Sequence, residues 1–105
     1  NALEFNRRGG IGAISVTANI APKLCSEFQK FSILSDELSK SKAEELDKIL
    51  QPLHYSMFVE SNPSPVKFAA KLLNLSEDGV RLPLVSITEP TKKIVEEALK
   101  LAKLI

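Results

Sequence analysis

From Gly9 to Asn19 the chain reads Gly-Gly-Ile-Gly-Ala-Ile-Ser-Val-Thr-Ala-Asn, a glycine-entered run of small and β-branched residues. Such a run suits a strand covered on both faces, as the strands of parallel sheets are. A strand of that kind needs neighbours. After Asn19 every periodic stretch has helical spacing or is interrupted by breaker residues, so the chain offers no second strand. The expectation is one buried strand of a parallel barrel, with the missing strands lying before Asn1 or on another chain. Length agrees with this, because 105 residues suffice for one small domain, whereas a barrel with its full ring of helices needs about 250.

The remaining elements follow from spacing and end signals. Ala2 to Arg8 reads as the end of a helix, with Arg7 and Arg8 in its last turn, where the helix dipole favours cations, and Gly9 in the C′ position. The strand spans Ile11 to Val16, and Thr17 to Ala21 forms its exit loop. Pro22 opens the next helix, where its missing N–H costs nothing, and Leu24, Phe28, Phe31, Leu34 and Leu38 make one inward face. Ser41-Lys42-Ala43-Glu44 has the form of a capping box and predicts a new helix near Ser41. Its apolar positions are Ala43, Leu46, Leu50, Leu53 and Met57, with a bend at Pro52. Asn62-Pro63-Ser64-Pro65 ends that helix, and Pro65 starts a short one reaching about Asn74. Arg81 to Val85 reads as extended, and a last helix from Thr88 or Pro90 carries Ile94, Val95, Ala98, Leu101, Ala102 and Ile105 as its buried stripe.

Composition narrows the function classes. A net charge of +1, from 14 basic and 13 acidic residues, leaves no electrostatic footprint for nucleic acid or an anionic membrane, so neither partner is expected. The first eight residues lack the apolar core of a signal peptide, and no apolar run nears the 18 or so residues of a membrane span. A soluble chain is expected. The single cysteine, Cys25, excludes an internal disulfide and fits a reducing compartment, with the cytoplasm as default. One histidine and one cysteine cannot build a multi-histidine or thiolate metal centre, so no metal and no cofactor are expected.

Individual residues carry weak chemical signals. His54, beside Tyr55, reads as a helix-packing residue rather than a general base. Cys25 reads as a small, partly buried apolar group. Lys67 follows a proline-rich turn and is the most plausible local lysine for a nucleophile. That role requires a neutral amine, reached by burial or a neighbouring cation, and a solvated helix lysine is the stronger reading. Gly9-Gly10-x-Gly12 precedes its strand instead of leading from a strand into a helix, the wrong order for a phosphate loop.

Four segments in one order carry a resemblance: Gly12-Ala13-Ile14-Ser15-Val16-Thr17-Ala18-Asn19; Pro52-Leu53-His54 with Phe58-Val59-Glu60; Asn62-Pro63-Ser64-Pro65-Val66-Lys67; and Arg81-Leu82-Pro83-Leu84. Over essentially its whole length the chain resembles the C-terminal part of the dihydrodipicolinate synthase and N-acetylneuraminate lyase family. The Pro-Val-Lys and Arg-Leu-Pro-Leu segments favour the synthase branch. The match departs from the family pattern around Ser35 to Lys42, where this chain is a few residues longer.

The resemblance implies a mostly α chain: residues 1–38 as the end of a TIM (β/α)8 barrel (helix end, eighth strand, following helix), and residues 39–105 as a C-terminal helical domain. It implies a class I aldolase that binds pyruvate as a Schiff base on a lysine and condenses it with aspartate 4-semialdehyde in lysine and diaminopimelate biosynthesis. The lysine and the Tyr and Thr proton relay belong to earlier segments, so no catalytic residue is expected here and the chain alone should be inert. Ile14 matches the position that contacts pyruvate through its main chain. The missing N-terminal barrel portion is the expected partner, within a homotetramer. Two alternatives stay open, a sialic acid lyase or other pyruvate aldolase of the same family, and a noncatalytic helical association module.

Overall fold

The computed structural model describes residues 1–105. Five α-helices, α1 (Ala2–Arg7), α2 (Pro22–Ile33), α3 (Glu37–Ser56), α4 (Ser64–Leu72) and α5 (Glu89–Leu101), alternate with irregular segments, and a 3₁₀ turn occupies Thr17–Asn19. The chain is mostly α, as expected. The strand expected over Ile11 to Val16 is not formed, because a ladder needs a second strand and none exists within these residues. None of the backbone N–H groups from Ile11 to Val16 donates to a backbone carbonyl.

The helix ends follow local chemistry. Arg7 stands in the last turn of α1, and Gly9 follows with φ +101°, a region in which a Cβ is strained. Pro22 opens α2. The apolar face expected to run from Leu24 to Leu38 is cut short, for α2 stops at Ile33 and Leu34 turns out at ψ 147°. Leu34 and Leu38 are accordingly 45% and 79% exposed. The expected capping box is likewise displaced. Asp36 caps α3 by accepting from the Ser39 N–H at 3.0 Å, so the helix starts at Glu37 and Ser41 lies exposed inside it. Aspartate ranks with serine as an N-cap, and the earlier one takes the role.

α3 runs through Pro52 to Ser56 and is the spine of the molecule, packing against α1, α2 and α5. Leu46, Leu50 and Leu53 sit on its buried face with Met57 at its C-cap, and they meet Phe28 of α2, Ala69 of α4, Val95, Ala98 and Leu99 of α5 and its C-cap Ala102 in one apolar cluster. In α5 the stripe differs from expectation: Leu99 is buried, while Leu101 and Ile105 are 69% and 47% exposed. At about 100° per residue, Leu99 falls roughly 40° from Val95, whereas Leu101 falls roughly 120° away and so faces solvent.

Polar stitches hold the irregular parts to the helices. Asn6 Nδ2 donates to Gln29 Oε1 and Ser32 Oγ at 2.8 and 2.7 Å, fastening α1 to α2, and the Arg7 guanidinium pairs with Glu44 of α3 at 2.8 Å. The segment between α4 and α5 is not a strand. Lys67 Nζ donates to the Gly79 carbonyl at 2.7 Å, Lys71 pairs with Asp78 at 2.9 Å, and Ser64 Oγ donates to the Val85 carbonyl at 2.9 Å. At the start of α5 the Glu60 carboxylate accepts from both the N–H and the hydroxyl of Thr88 at 2.9 Å. Hydrogen bonding from the Thr91 side chain, and then from the Thr88 N–H and hydroxyl, holds the Glu60 carboxyl below the usual carboxylate range.

Candidate active-site cleft

A cleft of about 540 Å³ opens between the unpaired segment Ala13–Ala18, α2 and α3. Pro22, Cys25 and Gln29 come from α2, Asp47, Gln51 and His54 from α3, and Phe58 follows the end of α3. Ile14 stands on the segment wall with its side chain fully in solvent. The cleft therefore brings together three of the residues singled out in the sequence, Ile14, Cys25 and His54. Lys67 lies elsewhere, in a separate depression beside Val16, Asn19 and Asn62.

The electrostatics of the cleft are mild. Burial pushes the Cys25 thiol above its ordinary pKa, and a hydrogen bond with Ser15 opposes this only in part, so the thiol form is favoured. No group of three or more His, Cys, Asp or Glu side chains is placed to hold a metal ion. No helix is long and apolar enough to cross a membrane.

His54 does more than pack. Its Nδ1 lies 2.7 Å from the hydroxyl of Thr17, and Thr17 is 1% exposed. In the sequence Thr17 falls in the exit loop and within the Gly12–Asn19 segment of the resemblance, where nothing marks it for a partner on α3. A contact across 37 residues leaves no periodic trace, and the one available signal was a hydroxyl at the exit of an apolar run together with a single histidine.

Burial also pushes the His54 imidazole below the ordinary value of 6.5, and the nearby Asp47 carboxylate opposes the shift. The fold thus favours the neutral ring. Between the folded pKa and about 6.5 the unfolded chain binds more protons, so stability is present above that window and declines as pH falls through it. The denaturant midpoint is expected to drop between about pH 7 and about pH 5.5, and His54→Asn should flatten the slope. Asp36, Glu44, Glu60 and Asp78 are all held below their ordinary carboxylate values, so their contributions are lost at lower pH and do not mask the effect. An unchanged slope in the variant would place its origin elsewhere.

A helix, an unpaired apolar segment, a second helix and a helical body are superposable on part of TIM-barrel enzymes. The chain matches the solved chloride-inhibited dihydrodipicolinate synthase from Acinetobacter baumannii, complexed with pyruvate, at a TM-score of 0.89 and 41% identity, covering 99% of this chain and 35% of that one. It also matches a dihydrodipicolinate synthase variant described as monomeric, at a TM-score of 0.82 and 36% identity, with 98% and 33% covered. The fold is that of a portion of such a barrel enzyme.

The chain belongs to the dihydrodipicolinate synthetase family, whose model matches residues 1–102. Among curated proteins it is 70% identical over 105 residues to the 4-hydroxy-tetrahydrodipicolinate synthase of Pelagibacter ubique strain HTCC1062, covering all of this chain and 36% of that protein. The chain thus spans about a third of the length of the relatives it matches.

Proposed function

We propose that these residues are the C-terminal portion of a Schiff-base lyase that condenses pyruvate with aspartate 4-semialdehyde to 4-hydroxy-tetrahydrodipicolinate, on the diaminopimelate route to lysine in the cytoplasm. The 70% identity to a synthase of that name, sustained over all 105 residues, carries the reading. In it, residues 1–38 close the barrel and residues 39–105 form the helical domain behind it. The main chain at Ile14 touches pyruvate, which is the compound bound in the Acinetobacter baumannii neighbour. The imine forms on a lysine outside these residues, with loss of water, so this chain contributes binding surface and not the nucleophile. A homotetramer is the assembly proposed for the complete enzyme, although one neighbour is described as monomeric.

Borohydride reduction of a pyruvate imine, followed by intact mass measurement, tests this. The chain alone should remain unmodified. Mixed with the upstream portion of the Pelagibacter ubique relative, it should permit an adduct on that portion only. An adduct on this chain would place a working lysine within its 105 residues and overturn the assignment, as would the absence of any adduct in the mixture.

A further inference from the structure

The backbone around Ile14 is placed by what holds its neighbours, since no N–H from Ile11 to Val16 finds a backbone acceptor. Upstream, the Gly10 N–H donates to the Phe5 carbonyl at 2.9 Å and ties the segment to α1. Downstream, the shortest hydrogen bond from this segment to the helical body joins Thr17 Oγ1 to His54 Nδ1 at 2.7 Å. Both partners of that bond are rigidly mounted. Thr17 is buried and β-branched, which restricts its χ1, and its carbonyl accepts from the N–H groups of Ile20 and Ala21 at 3.1 and 2.9 Å. His54 stands in the last turn of α3, directly after Leu53, which is fully buried in the core.

We infer that Thr17 and His54 form a positioning pair that sets where the Ile14 main chain meets the 2-oxo acid. The inference rests on the function proposed above. Thr17 lies three residues after Ile14, close enough for a shift of its hydroxyl to be passed along the backbone. A main-chain contact displaced by such a shift is weakened in the bound and activated states alike, a loss that raises KM and leaves kcat largely unchanged. Neither side chain need touch substrate. The pair acts through the main chain between them and the cleft.

The test uses the upstream portion of the Pelagibacter ubique relative joined to residues 1–105, as the unmodified hybrid and with Thr17→Val, Thr17→Ser, His54→Leu or His54→Asn. Thr17→Val and His54→Leu should each raise the KM for pyruvate about tenfold while kcat stays within about threefold, measured per site that traps pyruvate. Thr17→Ser keeps the hydroxyl and His54→Asn keeps a polar atom near the Nδ1 position, so both should stay within about twofold of the unmodified hybrid. A purely structural role would lower the number of trapping sites and leave KM per site unchanged. His54 is only half-buried, so its variants remain informative should Thr17→Val fail to fold. If the unmodified hybrid traps pyruvate and the KM is unchanged in every soluble variant, the pairing inference is overturned and the proposed function stands. If the unmodified hybrid traps no pyruvate, the proposed function falls and the inference with it.

Discussion

Leu50→Ala is expected to destabilise the chain by about 3 kcal/mol, within the roughly 2 to 5 kcal/mol seen when a buried leucine is truncated. Leu50 is fully buried on the middle of α3 and belongs to the cluster that joins α2, α3 and α5. The truncation removes apolar atoms from a core whose neighbours come from three helices, and such a site collapses poorly around a void. Against a domain stability on the order of 5 to 15 kcal/mol, the loss is large enough to read directly from a denaturant midpoint at constant slope. Leu50→Met conserves volume and should cost less than about 1.5 kcal/mol. A loss below about 1 kcal/mol for the alanine variant would mean that α3 is not the organising element the packing makes it.

Hydrogen exchange should divide the chain into two kinetic classes. The amides from Ile11 to Val16 lack backbone partners and should exchange at close to the free-peptide rate. Those around Leu50 and Leu53, inside α3 and fully buried, open only with the core. Their exchange should be slower on the order of a thousandfold or more, the ratio expected when global stability is near 5 kcal/mol. Protection in the first class, appearing as concentration rises, would show that the segment has found another copy of itself, the hazard of an unpaired strand-like sequence. Strong protection in a monomer would contradict the absence of a pairing partner and the barrel-portion reading with it.

Both experiments bear on what could be read from sequence. Gly9, Pro22 and Pro65 marked helix ends that the structure places within a residue or two of expectation, because each acts through its own backbone. The α2–α3 turn was misread where two local signals competed. Apolar spacing continued through Leu34 and Leu38, and Ser41-x-x-Glu44 offered a second cap, yet Asp36 captured the Ser39 N–H first. In α5 the stripe was found but turned, since counting apolar residues favoured Leu101 over Leu99 when the angle about the axis favours the reverse. The cleft was legible only in part. Ile14 entered through resemblance to a family, and the Thr17–His54 bond spans 37 residues, beyond the reach of any local pattern.

The doubly fastened segment between Gly10 and Thr17 also bears on how these residues would join a sheet. A free peptide loses about 1 to 2 kcal/mol of backbone freedom for each residue it commits to a strand. Here the hydrogen bond to the Phe5 carbonyl at one end and the Thr17–His54 bond at the other have already removed part of that freedom. To an approaching β-edge the segment is a taut template rather than a loose cord, so pairing requires alignment more than folding.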